Sequence, residues 1–241
     1  MSRYRRAHTP GACYFFTLVT YRRQRFLCDD DVRLALRESI EKVRQQRPFT
    51  IDAWVLLPDH LHCIWTLPDG DADFPLRWNL IKRYVTRACG SRLHRAEWMN
   101  ASKQRHREST LWQRRYWEHQ IRDDEDYATH MDYVHYNPVK HALCRYPTEW
   151  PYTSLHRLIR EGVYPRQWGE DEPIVSRVGN KLPTLPDWHL RYQRRQFGNH
   201  RPGFIIGQTR HRQMGLRHQQ KQVFLAIDPQ PLHSCDIINT A

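Results

Sequence analysis

Apolar and polar positions follow two different periods along the first two thirds of the chain, and these periods predict strands and helices in turn. Residues 14–20 are aromatic and β-branched, which is typical of a strand. Beyond the acidic residue Asp29, apolar side chains recur every three or four positions as far as Val43. That spacing predicts a helix with an acidic first turn, closed before Pro48.

A β-hairpin and a second helix follow. Residues 51–57 and 60–67 are apolar runs separated by a Pro-Asp pair, which is typical of a tight turn between two strands. Apolar residues at helical spacing then cover 76–88 and predict an amphipathic helix. Glycine is common just beyond a helix end, so we expect this helix to stop near Gly90.

The remaining pattern completes one fold class. Residues 91–110 are polar, basic and weakly periodic, and we interpret them as an inserted loop with at most a helical turn. A third helix is predicted over residues 123–135 and is expected to end at Asn137-Pro138, because a residue before proline disfavours the α conformation. The order strand–helix–strand–strand–helix predicts an α+β, ferredoxin-like (RRM-like) antiparallel sheet with helices on one face.

The pattern also predicts two regions. Residues 1–169 carry the periodic segments and are expected to form one domain. Residues 170–241 are interrupted by prolines and are rich in Arg, Gln and His, which indicates a basic C-terminal appendage. Such a tail would bind a polyanion nonspecifically, cover a functional site, or have no role, and the sequence does not choose among these.

Composition limits the location and the cysteine chemistry. The chain has 241 residues, of which 39% are hydrophobic, and no apolar run reaches the length of a membrane helix. Its first residues hold no apolar stretch of the kind found in signal peptides, so a cytoplasmic location is expected. None of the six cysteines shows Cys-x-x-Cys spacing, which favours reduced thiols over a structural zinc site.

Charge indicates the class of partner. The net charge is +12, and the excess is rich in Arg, which suits forked contacts with phosphates. Aromatic residues make up 12% of the chain and include nine Trp, which provide surfaces on which bases can stack. A nucleic-acid partner is therefore expected; the alternative is a basic protein without a specific anionic ligand.

Two histidines in the predicted hairpin are candidate metal ligands. His60 and His62 flank Leu61, and side chains two apart on a strand point to the same face. Two imidazoles side by side can share a divalent metal. The alternative is a pair of partly buried histidines that bond to their neighbours.

A tyrosine and an asparagine on the third predicted helix form a second candidate group. Tyr133 lies about 100° or more from the apolar stripe of that helix, and Asn137 is one turn further on the same side. Such a pair could face a metal-binding strand. Alternatively, Tyr133 lies at a core boundary with its hydroxyl in water and Asn137 only caps the helix end.

The long stretches around these two groups are Pro58-Asp-His-Leu-His-Cys-Ile-Trp-Thr-Leu-Pro68 and Tyr133-Val-His-Tyr-Asn-Pro-Val-Lys-His141. Shorter ones are Tyr4-Arg-Arg6, Phe15-Phe-Thr17, Arg47-Pro-Phe49 and Tyr116-Trp-Glu-His119. Together, over about residues 1–168, the chain resembles the REP-associated tyrosine transposases, a single-tyrosine branch of the His-hydrophobe-His (HUH) endonucleases. The loop 91–110 looks longer than is usual in that family, and the tail beyond about residue 170 has no match.

The resemblance implies a chemistry and a set of site residues. Tyr133 corresponds to the nucleophile, and His60, His62 and Asn137 correspond to the ligands of a Mg²⁺ or Mn²⁺ ion. The implied partner is a single-stranded DNA hairpin, the repetitive extragenic palindrome (REP), with a short guide sequence at its foot. The setting implied is the bacterial cytoplasm, at the nucleoid, and a monomer is favoured.

Other residues receive weaker roles. In the family, the N-terminal region helps to read the guide sequence, which makes Arg3, Arg5 and Arg6 candidate base readers. Lys82, Arg83 and Arg87 lie on the polar side of the second predicted helix and are candidate phosphate contacts; for all six the alternative is a solvated charge. Glu118 and His119 could support the metal shell or pack beside Trp117. His135 is expected at the surface or facing DNA and not as a ligand, and Tyr136 is the second candidate nucleophile.

These observations predict a metal-dependent single-strand DNA nickase and strand transferase that works through a 5′-phosphotyrosine intermediate. One alternative is a protein that binds hairpin DNA without cleaving it. Another is a phosphoesterase that uses water, but the two-histidine phosphoesterases need two His-x-Thr/Ser motifs, and this chain has one His-x-His.

Overall fold

The structure is a computed structural model that describes residues 8–170. The strands are β1 (Cys13–Val19), β2 (Thr50–Leu56), β3 (His60–Thr66) and β4 (Trp117–Gln120). The helices are α1 (Asp30–Gln46), α2 (Phe74–Leu93), α3 (Ala101–Arg105), α4 (Asp124–Lys140) and α5 (Leu155–Arg160). Arg3, Arg5, Arg6 and nearly all of the predicted appendage lie outside the described residues.

The four strands form one antiparallel sheet in the order β2-β3-β1-β4. Strands β2 and β3 form the predicted hairpin, and α1 carries the chain from β1 to β2 across β3. This arrangement confirms the predicted ferredoxin-like α+β class. Within residues 8–170, no helix combines the length and the apolar character needed to cross a bilayer.

Helices pack on both faces of the sheet, whereas the sequence predicted them on one. Phe16 and Trp65 point to the face covered by α1 and α2, which also contact each other. Phe15 and Ile64 point to the opposite face, which is covered by α4 and α5. Strand alternation therefore divides each strand between two separate cores.

Two helices continue past their predicted ends. Helix α2 runs through Gly90, whose position has room for a Cβ and no positive φ, and it ends at Leu93. Helix α4 runs through Pro138 to Lys140, although Pro138 cannot donate a backbone hydrogen bond. The preference against a helical residue before proline is thus outweighed here by the burial of Asn137, Pro138 and Val139 in the last turn of α4.

The predicted insertion contains helix α3 and a 3₁₀ turn at Ala96–Trp98, which is more helical structure than the one turn expected. Strand β4, which follows it, was not predicted. It is only four residues long, and its sequence Trp-Glu-His-Gln has no apolar alternation. Its pairing with β1 completes the sheet on the side away from β2.

Candidate active site

Strand β3 brings the two candidate ligands together. The side chains of His60 and His62 lie on the sheet face that is covered by α4, and their ring centroids are 5.0 Å apart. Both residues are almost fully buried, with 5% and 3% of their surface exposed. The prediction that they share a face is confirmed, and the register with Thr17 and Val19 of β1 fixes it.

Hydrogen bonds hold one nitrogen of each ring. His60 Nδ1 donates to the carboxylate of Asp59 at 2.7 Å, and His62 Nδ1 bonds Thr17 Oγ1 at 2.8 Å. Neither Nε2 has a hydrogen-bond partner within residues 8–170. A second partner on Nδ1 is the usual arrangement that orients a histidine for coordination through Nε2.

Electrostatics keep the His62 ring in the uncharged form that can bind a metal. Burial lowers the pKa of His62 well below its ordinary value, and the neighbouring His60 and His141 lower it further. Partial burial opposes ionisation of Asp59, but hydrogen bonds from His60 and Arg23 outweigh it, so the pKa of Asp59 is lowered. At neutral pH, His62 is therefore an uncharged imidazole, and Asp59 is a carboxylate behind His60.

Helix α4 places Tyr133 against the histidine pair. The Tyr133 ring lies 5.1 Å from His62, edge to face, and 5.7 Å from Phe15. The ammonium group of Lys140, two turns further on, lies 5.1 Å from the same ring. Tyr136 instead lies beside Trp168, with 6.2 Å between ring centroids, so only Tyr133 of the two candidates faces His62.

These groups line a cavity of about 560 Å³ between the sheet and α4. Its positive groups are Arg23, which also pairs with Asp59 at 3.0 Å, and Lys140. The cavity is lined by Phe15, Thr17, Val19, Arg23, His60, His62, Trp117, Thr129, His130, Tyr133, Lys140 and His141. Arg23, Trp117, His130 and Lys140 were missed by the sequence analysis, because nothing in their local spacing marks them.

Asn137 lies on the same stripe of α4, one turn beyond Tyr133 and one turn before His141. It is 1% exposed, and neither atom of its amide has a hydrogen-bond partner in the described part of the chain. A buried amide without partners is costly, by about 1–3 kcal/mol, and calls for a ligand. Its amide oxygen is a donor that suits Mg²⁺ or Mn²⁺, but Asn137 is not among the residues that line the cavity, so its place as a third ligand with His60 and His62 stays a prediction.

A second polar cluster joins β4 to α4. His119 Nε2 donates to Asp126 Oδ2 at 2.8 Å, and His130 Nδ1 donates to the backbone carbonyl of Asp126 at 2.8 Å. Arg122 Nε donates to the same carboxylate at 3.1 Å. The three donor atoms of a His-Asp-His set lie within 4.8 Å, but here both ring nitrogens carry protons, so the cluster is a hydrogen-bonded brace.

Three weaker expectations can be compared with the structure. His135, expected at the surface, is fully buried between Ser154 and Tyr164, and burial lowers its pKa to about 3. Helix periodicity could not foresee the segment that covers it. Glu118 points to the sheet face away from the histidine pair, and His119 stacks on Trp117 with 5.9 Å between ring centroids.

The candidate phosphate contacts lie on another side of the molecule. Lys82, Arg83 and Arg87 are on α2, which packs on the sheet face opposite the cavity. Lys82 Nζ donates to the carbonyl of Gln113 at 2.7 Å, while Arg83 and Arg87 are exposed. The structure does not bring these residues to the cavity, and their DNA contacts stay a prediction.

Comparisons with known proteins agree on one family. Residues 10–137 match the family described as "Transposase IS200 like". The chain is 42% identical over 171 residues to a REP-associated tyrosine transposase of Escherichia coli (strain K12), covering 71% of this chain and 93% of that one. A putative REP-associated tyrosine transposase of Haemophilus influenzae is 40% identical over 169 residues, covering 70% of this chain and 94% of the other.

A solved structure shows the same fold. It is a REP-associated tyrosine transposase bound to a REP hairpin, with a TM-score of 0.60 and 39% sequence identity. The match covers 76% of this chain and 100% of that one. The chain therefore belongs to the IS200-like transposase family and, within it, to the REP-associated tyrosine transposases, which are enzymes with a tyrosine nucleophile.

Proposed function

We propose that this transposase binds REP-type hairpins in single-stranded DNA and cleaves the adjoining strand through a 5′-phosphotyrosine intermediate on Tyr133. The observation that carries the proposal is the contact between Tyr133 and His62 in a cavity that also holds Arg23 and Lys140. The hairpin bound to the related structure supports the choice of substrate.

Metal dependence rests on His60, His62 and Asn137. The proposed donor set consists of the Nε2 atoms of His60 and His62 and the amide oxygen of Asn137, none of which has a hydrogen-bond partner among residues 8–170. When bound, Mg²⁺ or Mn²⁺ would polarise the scissile phosphate and offset its negative charge. The donors are neutral, so most of the positive charge of the cation would remain available to the phosphate.

The chain supplies the nucleophile and the positive surroundings. Tyr133 Oη attacks the phosphorus, a phosphotyrosine bond forms to the 5′ side of the downstream strand, and the bond to the 3′ oxygen breaks. The phenol loses its proton, and the departing 3′ oxygen gains one to become a hydroxyl. Lys140 lies beside the Tyr133 ring, and together with Arg23 it attracts the anionic backbone into the cavity.

The covalent intermediate explains why a transposase uses tyrosine. A phosphotyrosine ester keeps the energy of the broken bond, so a 3′-hydroxyl of another end can attack it and rejoin the strand. Hydrolysis by water would release that energy and end the reaction. The same cavity thus supports both nicking and strand transfer.

Basic residues outside the cavity are proposed to recognise the hairpin. We assign reading of the guide sequence to Arg3, Arg5 and Arg6, and contacts with the hairpin backbone to Lys82, Arg83 and Arg87. The protein is proposed to act as a monomer on DNA at the nucleoid. The basic appendage, residues 170–241, stays a separate predicted region.

Covalent trapping tests the proposal. The protein is incubated with a library of hairpins carrying single-stranded flanks, with Mg²⁺, with Mn²⁺ or with a chelator, and run on a denaturing protein gel. We expect a metal-dependent protein–DNA band that is absent from Tyr133→Phe. Tyr136→Phe is the matched control, because it removes the hydroxyl of a neighbouring tyrosine whose ring lies beside Trp168.

Two results would contradict the proposal. A band that persists in Tyr133→Phe and disappears in Tyr136→Phe would move the nucleophile to the other tyrosine. Tight hairpin binding with neither a covalent band nor a cut strand under any metal would favour a binding protein without cleavage activity.

A further inference from the structure

Trp117 is the first residue of β4 and leaves an unusually large aromatic surface in solvent. It is 53% exposed, although it lines the cavity that contains His62 and Tyr133. Among the described residues, Leu34 on α1 is the other large apolar side chain with comparable exposure. An exposed indole in the lining of a cavity that also holds Arg23 and Lys140 is a feature that a ligand would explain.

The sheet register places Trp117 in line with the histidine pair. Thr17 of β1 lies opposite Trp117 on one side and opposite His62 on the other. Strands are about 4.8 Å apart, so the backbones at Trp117 and His62 are separated by roughly 10 Å across one row of the sheet. A strand of DNA whose phosphate reaches His62 and Tyr133 would pass its next base over Trp117.

The Trp117 indole packs against side chains that are themselves held by ring contacts and a hydrogen bond. Its ring is nearly parallel to that of His119, at 5° and 5.9 Å, and His119 is in turn stacked on His130 at 15° and 4.7 Å. Asp126 anchors the middle ring through the 2.8 Å hydrogen bond to His119 Nε2. Phe15 meets the indole edge-on at 5.6 Å. Because His119 covers one face, the other face is the one available for stacking.

We propose that Trp117 forms a stacking subsite for an unpaired nucleobase adjoining the scissile phosphate. The proposal rests on the proposed function, since it takes the cavity as the place of the phosphate. A base fits better than an apolar peptide side chain, because Arg23 and Lys140 in the cavity and the exposed Arg115 nearby attract a polyanion. The subsite is sequence-tolerant, because every base has a π face.

The polar cluster around Asp126 would hold this stacking subsite in place relative to Tyr133. Its hydrogen bonds tie β4 to the first turns of α4, the helix that carries Tyr133. The stacking platform and the nucleophile are therefore held by one set of contacts. A base stacked on Trp117 would fix the position of the adjoining phosphate relative to Tyr133.

A double-mutant cycle between protein and DNA tests the subsite. The hairpin that binds most tightly is prepared with a single abasic nucleotide at each flanking position in turn. Binding is measured without cleavage, in a Tyr133→Phe background, with and without Trp117→Ala. We expect Trp117→Ala to weaken binding of the intact strand by about 10- to 100-fold. At one position, the abasic strand should bind as weakly to the parent protein, and Trp117→Ala should weaken it no further.

Two further variants make the test specific. Trp117→Phe keeps an aromatic face and should retain most of the affinity, whereas Leu34→Ala removes an equally exposed apolar side chain on α1 and should change nothing. Additive losses at every position would overturn the proposal. Tighter binding of all strands by Trp117→Ala than by the parent protein would also overturn it. The indole would then oppose DNA binding and would not stack on a base.

The outcome is separable from that of the proposed function. Covalent trapping by wild-type protein reports on the chemistry of Tyr133, while the cycle reports on binding alone. A phosphotyrosine band together with additive losses would refute the subsite and leave the transposase chemistry in place. Coupling at one position without any band would refute the cleavage mechanism and support a base contact at Trp117.

Discussion

The two faces of the sheet are built from neighbouring residues but differ in what their buried groups do. On the face covered by α1 and α2, Trp65 and Trp78 stack with 3.9 Å between ring centroids. On the other face, His62 is just as buried, yet it is oriented by a hydrogen bond from its side chain and borders an open cavity. Burial therefore does not separate the core from the site; the hydrogen-bonding of the buried group does.

Successive side chains of β3 point to opposite faces of the sheet, so the site and the tryptophan core are separated by a single position. His62 faces the cavity, and the next residue, Cys63, faces the tryptophan core. Substitutions one residue apart in sequence should therefore affect either stability or chemistry. Each prediction below tests whether the two faces can be altered independently.

The largest effect is expected on the core face. Trp78→Ala removes a fully buried indole that packs on Trp65 and Phe16, and it should lower the free energy of unfolding by about 3–5 kcal/mol. Urea denaturation measures the loss. At a temperature where the variant is still folded, covalent trapping should be close to that of the parent. A loss of trapping in folded protein would show that the two faces are coupled.

The next effect concerns the site face. His62→Ala removes one proposed ligand, and adduct formation should fall by at least about 100-fold, since even partners behind the ligands typically contribute 10- to 100-fold. Metal binding should weaken as well, as measured by titration with Mn²⁺. Cys63→Ala, on the opposite face of the same strand, is the matched control and should keep both properties. Retained trapping in His62→Ala would exclude it as a ligand.

A third prediction sets stability against activity at one residue. Asn137→Leu replaces a buried amide without partners in the described residues by an apolar side chain. In the presence of a chelator, we expect the free energy of unfolding to rise by about 1–2 kcal/mol, while metal-dependent trapping is lost. Thermal denaturation with and without metal measures the change. If the variant is destabilised without metal, the amide has a structural partner and is not held for a ligand.

The spacing of apolar and polar residues was enough to predict the orientation of side chains that depends on a single strand or helix. The shared face of His60 and His62 follows from strand alternation, and the placement of Tyr133 away from the apolar stripe follows from helix periodicity. These rules use only the spacing of side chains along one backbone. Both placements hold because the hairpin forms as predicted and α4 covers its predicted residues before it continues to Lys140.

The same spacing did not predict the burial or the contacts of residues whose neighbours come from distant parts of the sequence. His135 was expected at the surface, but Ser154 and Tyr164 cover it from parts of the chain that carry no periodic signal. The brace of His119 and Asp126 depends on β4, whose four polar and aromatic residues give no alternation. Such contacts are set by the tertiary arrangement of elements and not by spacing within them.

The smallest effect is expected at the end of β3 away from His60. Asp52 accepts a hydrogen bond from Thr66 at 2.7 Å, and burial raises the pKa of Asp52 to about 6, against the hydrogen bond and the positive charge of Arg157. The folded protein therefore holds a proton on Asp52 that the unfolded chain releases at about pH 4. The contribution of this group to stability is full below about pH 4 and is lost as pH rises through about 6.

Asp52→Asn removes that titration and keeps an acceptor for Thr66. Relative to wild type, the variant should become more stable by about 1 kcal/mol between pH 5 and pH 6, because it never acquires the buried charge. Urea denaturation of both proteins at several pH values measures the difference in the free energy of unfolding. Carboxylates such as Asp59, whose pKa is lowered, contribute equally to both proteins and cancel in this difference. Covalent trapping at pH 7 should be unchanged, since Asp52 lies at the opposite end of the strands from the cavity. A pH-independent difference would mean that Asp52 is already ionised throughout this range, and altered trapping would mean that the two ends of the sheet are coupled.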